Sequence, residues 1–378
     1  MSQVKLTHTM TFSEEQSMLL DTAVEFFREK SPIAGVRDLM LSEHGFPLEV
    51  WQEMVALGWS GLAIPESCGG SELGLAAAVT IAEPMGRYLS ATPWLPTQLF
   101  IQGVLAGGED LGSGLLPAVA EGAIGTVALS ELEGDWDLAN AALAMSASAD
   151  GVALNGRKTF VLNADVADYL LVSGSLDGAP ALAVVAKDEL PATALKRETV
   201  IDETRRSFEV SLENVVVASD RLIQGEAAVT ALTAIRNAAL LLISAECAGG
   251  IAGDLEVIVE YLNTRTAFGR KIGSYQGLKH PTVDILVGLE RTRSHVYHAA
   301  SAIEAGESPE QLEVALRMAK AEASDSFAFA GDRGIQFHGG FGFTWECDAQ
   351  LYLRRALWAQ YAFGDAIHHR RHLADALL

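Results

Sequence analysis

A short basic segment between two predicted helices is the first place where this sequence offers chemistry. Arg265, Arg270 and Lys271 lie close together, and Gln276 follows at the start of the next helix. A guanidinium fork, an amide and a helix N-terminus together suit an anion such as a phosphate. The alternative is a solvated basic loop, because the C-terminal end of the preceding helix carries the negative end of its dipole and favours cations. The residues alone leave both interpretations open.

A second group of interest is the glycine cluster Gly339, Gly340 and Gly342, which follows Gln336. Glycine backbone permits close approach of a ligand. However, the chain contains neither a P-loop motif nor a G-x-G-x-x-G placed after a strand, so nucleotide binding by those two devices is not expected. Taken alone, the cluster is typical of a helix C-cap followed by a turn.

Titratable residues near the end of the chain have the spacing of metal ligands: Asp365, His368, His369 and His372. No cysteine or second cluster supports a metal there, so we favour a solvated polar face and predict no metal. Isolated histidines such as His338 are more often packing or hydrogen-bonding residues than ligands. The three cysteines are scattered and odd in number, which indicates small core residues in a reducing compartment.

Composition limits the class of protein further. The 378 residues allow two or three domains at roughly 100 to 200 residues each. Hydrophobic residues make up 49% and charged residues 20%, as in globular proteins. A net charge of −22 argues against a nucleic-acid partner. The N-terminus lacks signal-peptide features, and the most apolar stretch, 238–243, is too short for a membrane span of about 20 residues, so we expect a cytoplasmic protein without a membrane partner.

Hydrophobic periodicity divides the chain into three segments. Residues 1–122 predict an α-helical domain, 123–224 a small antiparallel β domain, and 225–378 a four-helix bundle. Ser13 with Gln16, and Ser308 with Gln311, have capping-box spacing at the starts of two helices. The four bundle helices are expected at roughly 228–263, 275–304, 309–337 and 346–376. The predicted fold class is α+β.

In this order, the three segments and their motifs resemble the acyl-CoA dehydrogenase family over nearly the whole chain. The motifs that carry the resemblance are Leu57-Gly58-Trp59 with Pro65-Glu66 and Gly69-Gly70, Ala128-Leu129-Ser130-Glu131, Arg265-Thr266-Ala267-Phe268-Gly269 with Gln276, Gln336-Phe337-His338-Gly339-Gly340-Phe341-Gly342-Phe343, and Arg354-Arg355-Ala356. The resemblance implies an FAD-dependent oxidoreductase that desaturates an acyl-CoA thioester between its α and β carbons.

In that family the flavin lies between subunits, and the neighbouring subunit holds its pyrophosphate and adenine. The resemblance therefore implies a set of residues that reach across to the flavin: Arg265, Phe268, Gln276, Gln336, Gly339 and Gly340. Ser130 belongs to the motif that contacts the flavin directly. An arginine fork, amide donors and open glycine backbone are chemically suited to a pyrophosphate.

The sequence departs from the family pattern at the groups that contact a subunit's own flavin ring and substrate. The Glu-Gly-Thr that carries the catalytic base corresponds to Phe363-Gly364-Asp365, and the other known base position falls at about Ala239. The Trp-x-Thr over the ring reads Phe160-Val161-Leu162, and leucine cannot donate a hydrogen bond. The Gly-Ser of the substrate loop reads Asp135-Trp136. This subunit's own ring site is therefore predicted to be disabled.

The retained and lost groups predict a heteromer, in which a second acyl-CoA dehydrogenase subunit supplies the ring pocket and the base. In such α2β2 enzymes the substrate is an acyl-CoA, in some cases with a bulky or steroid side chain, and an electron-transfer flavoprotein is the expected acceptor. One alternative is a self-sufficient homotetramer with Glu246 as the base, although Glu246 also suits a structural role in the bundle. Another is a structural family member that binds no flavin.

Overall fold

The computed structural model describes residues 13–378. Within them, seven helices come first, ten strands follow, and five further helices complete the chain around a two-stranded hairpin. The first seven helices are α1 (Glu14–Lys30), α2 (Ile33–Leu41), α3 (Leu48–Ala56), α4 (Gly74–Ala77), α5 (Val79–Arg87), α6 (Trp94–Gly107) and α7 (Glu109–Ala120). This order agrees with the predicted α+β class.

Both predicted capping boxes are confirmed. The Ser13 hydroxyl accepts the Gln16 N–H at 3.1 Å, and the Gln16 side chain returns a bond to the Ser13 N–H. Ser308 and Gln311 repeat the arrangement at the start of a later helix. Each box satisfies two helix-end groups locally, which is why the sequence alone identifies these boundaries.

The strands form one seven-stranded and one three-stranded sheet, apart from the later hairpin. They are β1 (Gly125–Ala128), β2 (Ala144–Ser148), β3 (Gly151–Asn155), β4 (Arg157–Leu162), β5 (Tyr169–Leu176), β6 (Ala179–Ala186), β7 (Leu195–Arg197), β8 (Ser207–Ser211), β9 (Val215–Val217) and β10 (Leu222–Gln224). Most pairs are antiparallel, as expected, but β1 and β2 each pair in parallel with β5. The long connection from β1 to β5 gives the chain room to enter β5 in the same direction.

The helices of the C-terminal segment are α8 (Glu226–Thr264), α9 (Gln276–Glu304), α10 (Pro309–His338), α11 (Ala349–Tyr361) and α12 (Ala366–Leu377), and the hairpin strands are β11 (Thr266–Ala267) and β12 (Arg270–Lys271). Three of the four predicted bundle helices match α8, α9 and α10 closely. The fourth prediction was wrong in one respect, because the stretch is two helices. Phe363 and Gly364 have left-handed φ values of 58° and 106°, and this conformation ends α11 before α12 begins.

The described chain forms two compact units. The helical unit contains the described residues up to Ile33, then Gly74–Leu89 and Leu240–Leu378; the sheet unit contains Ala34–Leu73 and Ser90–Ala239. Helix α8 is long and apolar enough to cross a membrane, but most of its apolar window is buried within the protein, as in a core helix.

Buried contacts between helices define the core of the helical unit. Helix α5 packs closely on α8, because a Cβ at Gly86 would overlap the carbonyl of Glu246. A buried carboxylate adds a polar link to α9: Glu83 accepts from Arg293 Nε at 2.8 Å and from the Tyr297 hydroxyl at 2.6 Å. These contacts fix α8, from which the candidate site begins.

Candidate functional site

The hairpin that follows α8 presents the first predicted site residues. Phe268 and Gly269 connect β11 to β12 with φ values of 51° and 80°, the two left-handed residues of a type I′ turn. Glycine adopts this conformation easily, whereas phenylalanine is strained there. The Phe268 side chain is 97% exposed. Its strain and its exposure make Phe268 a candidate binding residue.

Several bonds hold this hairpin against the neighbouring helix ends. The Tyr275 hydroxyl donates to the Ala267 carbonyl at 3.1 Å, and Lys271 Nζ donates to the Thr264 carbonyl at 2.7 Å. The Arg270 guanidinium lies 4.3 Å above the Tyr275 ring. Arg270 and Lys271 therefore have structural contacts at the hairpin, whereas the Arg265 side chain is exposed to solvent.

Gln276 is the first residue of α9 and is exposed, and no side chain caps this helix end. The first N–H groups of a helix have no partner within the helix, and its dipole favours negative charge at that end. An anion approaching the hairpin would thus meet a guanidinium, an amide and a helix N-terminus.

The turn after α10 carries the other predicted site residues. Gln336 is exposed, and its carbonyl accepts the Gly339 N–H at the end of the helix. Gly339 has a left-handed φ of 59°. No atom of the described chain lies within 4 Å of a Cβ added at Gly339 or Gly340. Packing within the chain therefore does not require glycine at position 340, whereas a ligand lying against the backbone would.

Aromatic stacking brings the two segments together. The ring of Tyr261, one turn before Arg265, stacks on the ring of His338 with 4.1 Å between centroids. His338 directly precedes Gly339 and is buried, and its Nδ1 lies 2.7 Å from the Gly334 carbonyl. The interpretation of His338 as a packing and hydrogen-bonding residue is confirmed. Six of the seven predicted cofactor residues thus belong to two segments of the helical unit that are joined at this stack.

The seventh, Ser130, lies in the sheet unit just after β1, and its carbonyl accepts the Thr159 N–H at 2.9 Å. Next to it is an ion pair between a buried lysine and a half-buried glutamate, which the sequence did not reveal. Lys158 Nζ donates to Glu131 Oε1 at 2.6 Å, while the Glu131 carboxylate also accepts the N–H groups of Ala142 and Leu143. Burial opposes both charges and lowers the pKa of Lys158. For Glu131, the hydrogen bonds and the charge of Lys158 outweigh the effect of burial, so the pKa of Glu131 is lowered as well.

The aromatic residue that replaces the family's ring-covering tryptophan sits on an irregular strand. Phe160 lies within a register shift of β4, with a left-handed φ of 54°, and is 61% exposed. Its N–H donates to Glu198 Oε2 at 3.0 Å, and the same oxygen accepts the Ser207 hydroxyl. Glu198 thus compensates the backbone N–H that the bulge removes from the ladder.

The turn between α11 and α12, where the family carries its base, is held by a buried ammonium. Lys320 Nζ donates to the carbonyls of Ala359 and Gly364 at 3.0 and 2.9 Å, and burial lowers its pKa to about 8. Asp365 caps α12 by accepting the His368 N–H at 2.7 Å. The carboxylate nearest to the family's base position is therefore occupied as a helix cap.

The solvated polar face predicted for the last helix is wrong at His369. That ring is buried, its Nδ1 lies 3.2 Å from Arg317 Nη1, and burial lowers its pKa to about 3. The helix packs on α10, so the side of α12 that carries His369 faces the protein. Among residues 13–378 no group of histidine, cysteine and acidic side chains has the arrangement of a metal site.

The two buried carboxylates of α8 differ in their surroundings. Glu246 is 2% exposed and lies where α5 packs against α8. Asp254 is fully buried, neither of its oxygens has a hydrogen-bond partner among residues 13–378, and burial raises its pKa well above the ordinary value. The sequence pointed to Glu246 and missed Asp254, because the close packing of this carboxyl group against Gly334 and its lack of a hydrogen-bond partner among residues 13–378 depend on the folded structure.

Substitution of Glu246 by glutamine is expected to leave the activity of the flavin-loaded assembly within a few-fold of the wild type. The residue is buried in the helical unit, and glutamine keeps the shape of its side chain. Steady-state turnover of an acyl-CoA, expressed per bound flavin, measures the effect. A loss of about 10²- to 10⁴-fold, the usual contribution of a general base, would contradict this expectation.

Comparison with known proteins places these features in a family. Residues 13–123 match the profile described as "Acyl-CoA dehydrogenase, N-terminal domain", and residues 228–378 match "Acyl-CoA dehydrogenase, C-terminal domain". Acyl-CoA dehydrogenase IpdE2 of Mycobacterium tuberculosis is 29% identical over 92% of each chain.

Solved structures with the same fold include the ChsE4–ChsE5 complex from Mycobacterium tuberculosis, with a TM-score of 0.88 and 22% identity over 98% of this chain and 99% of that one. The Tcur3481–Tcur3483 steroid ACAD has a TM-score of 0.84 and 27% identity over 96% and 98% of the two chains. Butyryl-CoA dehydrogenase from Megasphaera elsdenii has a TM-score of 0.86 and 20% identity, covering 98% and 100%.

Proposed function

Since this chain belongs to the acyl-CoA dehydrogenase family of FAD-dependent oxidoreductases acting on CH–CH bonds, we propose that it is one of two unlike subunits of such an enzyme. In this proposal it holds the pyrophosphate and adenine end of a flavin whose ring lies in the partner subunit. The partner supplies the ring pocket, the substrate channel and the catalytic base.

The observation that carries the proposal is the turn between α11 and α12. A base must place a carboxylate over the α-carbon of the thioester, dehydrated enough for its pKa to approach the operating pH. Here the turn contains Phe363 and Gly364, and its one carboxylate, Asp365, already accepts a helix N–H. Lys320 holds the same turn by donating to the Gly364 carbonyl. Phe363 and Gly364 have no group that could take the substrate proton, and Asp365 serves as the helix cap.

The sheet unit supports the same division of roles. The loop after Glu131 closes on itself, because Asp135 accepts the Asp137 N–H at 2.9 Å and the Asn140 amide at 3.0 Å. Acidic side chains in this loop repel the phosphates of an acyl-CoA. Leu162, which stands where the family has a threonine donor, offers no hydrogen bond to a flavin ring.

The residues of the helical unit fit the other end of the cofactor. Arg265 would hold the pyrophosphate with its guanidinium fork, and Gln276 and Gln336 would donate amide N–H groups. Gly339 and Gly340 leave open space beside their backbone for a close approach. Phe268, on the same exposed hairpin, would reach across to the same flavin. When bound, FAD supplies the hydride acceptor for α,β-desaturation.

One named relative supports a bulky thioester as the substrate class. The 27%-identical Tcur3481–Tcur3483 protein is a steroid ACAD, and its name joins two proteins. For this chain we propose an acyl-CoA substrate with a steroid or similarly bulky side chain and an unlike partner subunit. We further propose an electron-transfer flavoprotein as the electron acceptor and a cytoplasmic location.

The flavin content of the purified protein tests the shared site. We expect the chain expressed alone to be poor in flavin, and its complex with a co-expressed acyl-CoA dehydrogenase subunit to contain one FAD per two chains, by absorbance and mass. One FAD per chain in a catalytically active homotetramer would contradict the proposal and favour Glu246. A complex without any flavin would favour a structural role.

A further inference from the structure

The stack between α8 and the turn after α10 contains three rings. Besides the 4.1 Å contact of Tyr261 with His338, at an interplanar angle of 29°, the Phe341 ring lies 6.4 Å from Tyr261 and 6.2 Å from His338. Offset and tilted aromatic pairs at such distances attract each other. We call Tyr261, His338 and Phe341 the aromatic stack.

The orientation of His338 in this stack is fixed by its own helix. Its Nδ1 carries the proton donated to the Gly334 carbonyl at 2.7 Å, one turn earlier in α10. The ring is 5% exposed. The following turn closes when the Gly342 N–H donates to the Gly339 carbonyl at 2.9 Å. The position of His338 therefore sets the position of the glycine backbone that follows it.

Tyr261 is coupled to Arg265 in the same direct way. The Arg265 N–H donates to the Tyr261 carbonyl at 2.9 Å, and the Arg265 carbonyl accepts the Ile272 N–H at 2.9 Å. Arg265 thus begins the hairpin from a residue whose ring is in the stack. If the Tyr261 ring packed differently, the backbone at Arg265 would move relative to the turn at Gly339.

We propose that Tyr261 and His338 are positioning residues, which keep the arginine segment and the glycine segment of the pyrophosphate clamp in one arrangement before the cofactor binds. The inference rests on the proposed function, and it adds residues that touch no cofactor themselves. A binding surface assembled in advance loses less freedom on binding, so its affinity is higher. Neither ring takes part in the desaturation itself.

The test uses the flavin-bound assembly that contains this chain, with the dissociation constant of FAD measured by its fluorescence on dilution. Tyr261→Leu is expected to weaken FAD binding by roughly 5- to 10-fold, the range that one aromatic pair accounts for. Tyr261→Phe keeps the ring and should remain within 2-fold of wild type. KM for acyl-CoA and kcat per bound flavin should not change in either variant, because the ring site is elsewhere.

Two further variants separate the possible outcomes. Phe329→Leu removes a half-exposed ring of α10 outside the stack and should leave FAD binding unchanged. Arg265→Ala tests the clamp itself and should weaken FAD binding by about 10-fold or more. If Arg265→Ala weakens binding but Tyr261→Leu does not, or if Tyr261→Leu lowers only the thermal midpoint, the positioning role is wrong while the clamp stands. If Arg265→Ala has no effect, the clamp is wrong.

Discussion

Replacement of Lys158 by methionine is expected to lower the free energy of unfolding by about 2–3 kcal/mol, because a partly buried carboxylate and two further acceptors lose their charged donor. The ammonium is fully buried and donates to Glu131 at 2.6 Å, to the Ser173 hydroxyl at 3.0 Å and to the Leu129 carbonyl at 3.1 Å. Methionine has a similar length and leaves all three acceptors without this donor. Denaturant unfolding of the purified protein measures the loss.

A double variant provides the control for this pair. Lys158→Met combined with Glu131→Leu removes both charges, so no uncompensated carboxylate remains next to the apolar side chain. The double variant is expected to be more stable than Lys158→Met alone, because removal of both partners costs less than isolation of one. If Lys158→Met lowers the free energy of unfolding by less than about 1 kcal/mol, the ion pair contributes no more than an exposed pair does, and the prediction is wrong.

The substitution Asp254→Asn is expected to make the protein more stable than the wild type above neutral pH. The raised pKa means that the folded state binds a proton which the unfolded state releases near pH 4. Below that pH the carboxyl group is protonated in both states, and it does not reduce the free energy of unfolding. The free energy of unfolding falls by about 1.4 kcal/mol per pH unit as the pH rises towards the folded-state pKa. Asparagine has no proton to lose and should abolish this slope.

Thermal midpoints of the wild type and Asp254→Asn between pH 5 and pH 9 measure the effect. The two midpoints should be closest at pH 5 and should separate as the pH rises, with the variant higher. Asp375→Asn, at an exposed position of α12, is the matched control and should follow the wild type throughout. Parallel curves for wild type and Asp254→Asn would show that this carboxyl group does not titrate between the two states in that range.

The parts of the structure that the sequence predicted are those determined by local chemistry. The capping boxes at Ser13 and Ser308 satisfy helix ends within four residues, and the long helical stretches of α8, α9 and α10 need no distant partner to be identified. The break between α11 and α12 was missed because it depends on contacts from α10, where Lys320 reaches the Gly364 carbonyl. The parallel pairing of β1 with β5 likewise depends on a return of the chain across many residues.

The candidate site shows the same limit. Arg265, Gln276, Gln336 and Gly340 were predicted because they stand in motifs that resemble those of the family. Tyr261 and Asp254 were not found, because one is an ordinary aromatic residue of a helix and the other a single acid in an apolar run. Their significance comes from the ring and the glycine that face them on α10. A tyrosine one turn before the basic segment was the available signal for the first.

The turn between α11 and α12 also bears on how this chain and the wider family diverged at this place. A Cβ at Gly364, where φ is 106°, would lie 2.7 Å from the His368 ring and 2.8 Å from the His369 ring, so the turn requires the glycine that the family's Glu-Gly-Thr also has at its second position. The position aligned with the glutamate is Phe363, and a residue with a side chain already holds its left-handed φ of 58°. The divergence at this turn is therefore one of side chains on a retained backbone, and Phe363→Glu would return a carboxylate to the aligned position in a single step.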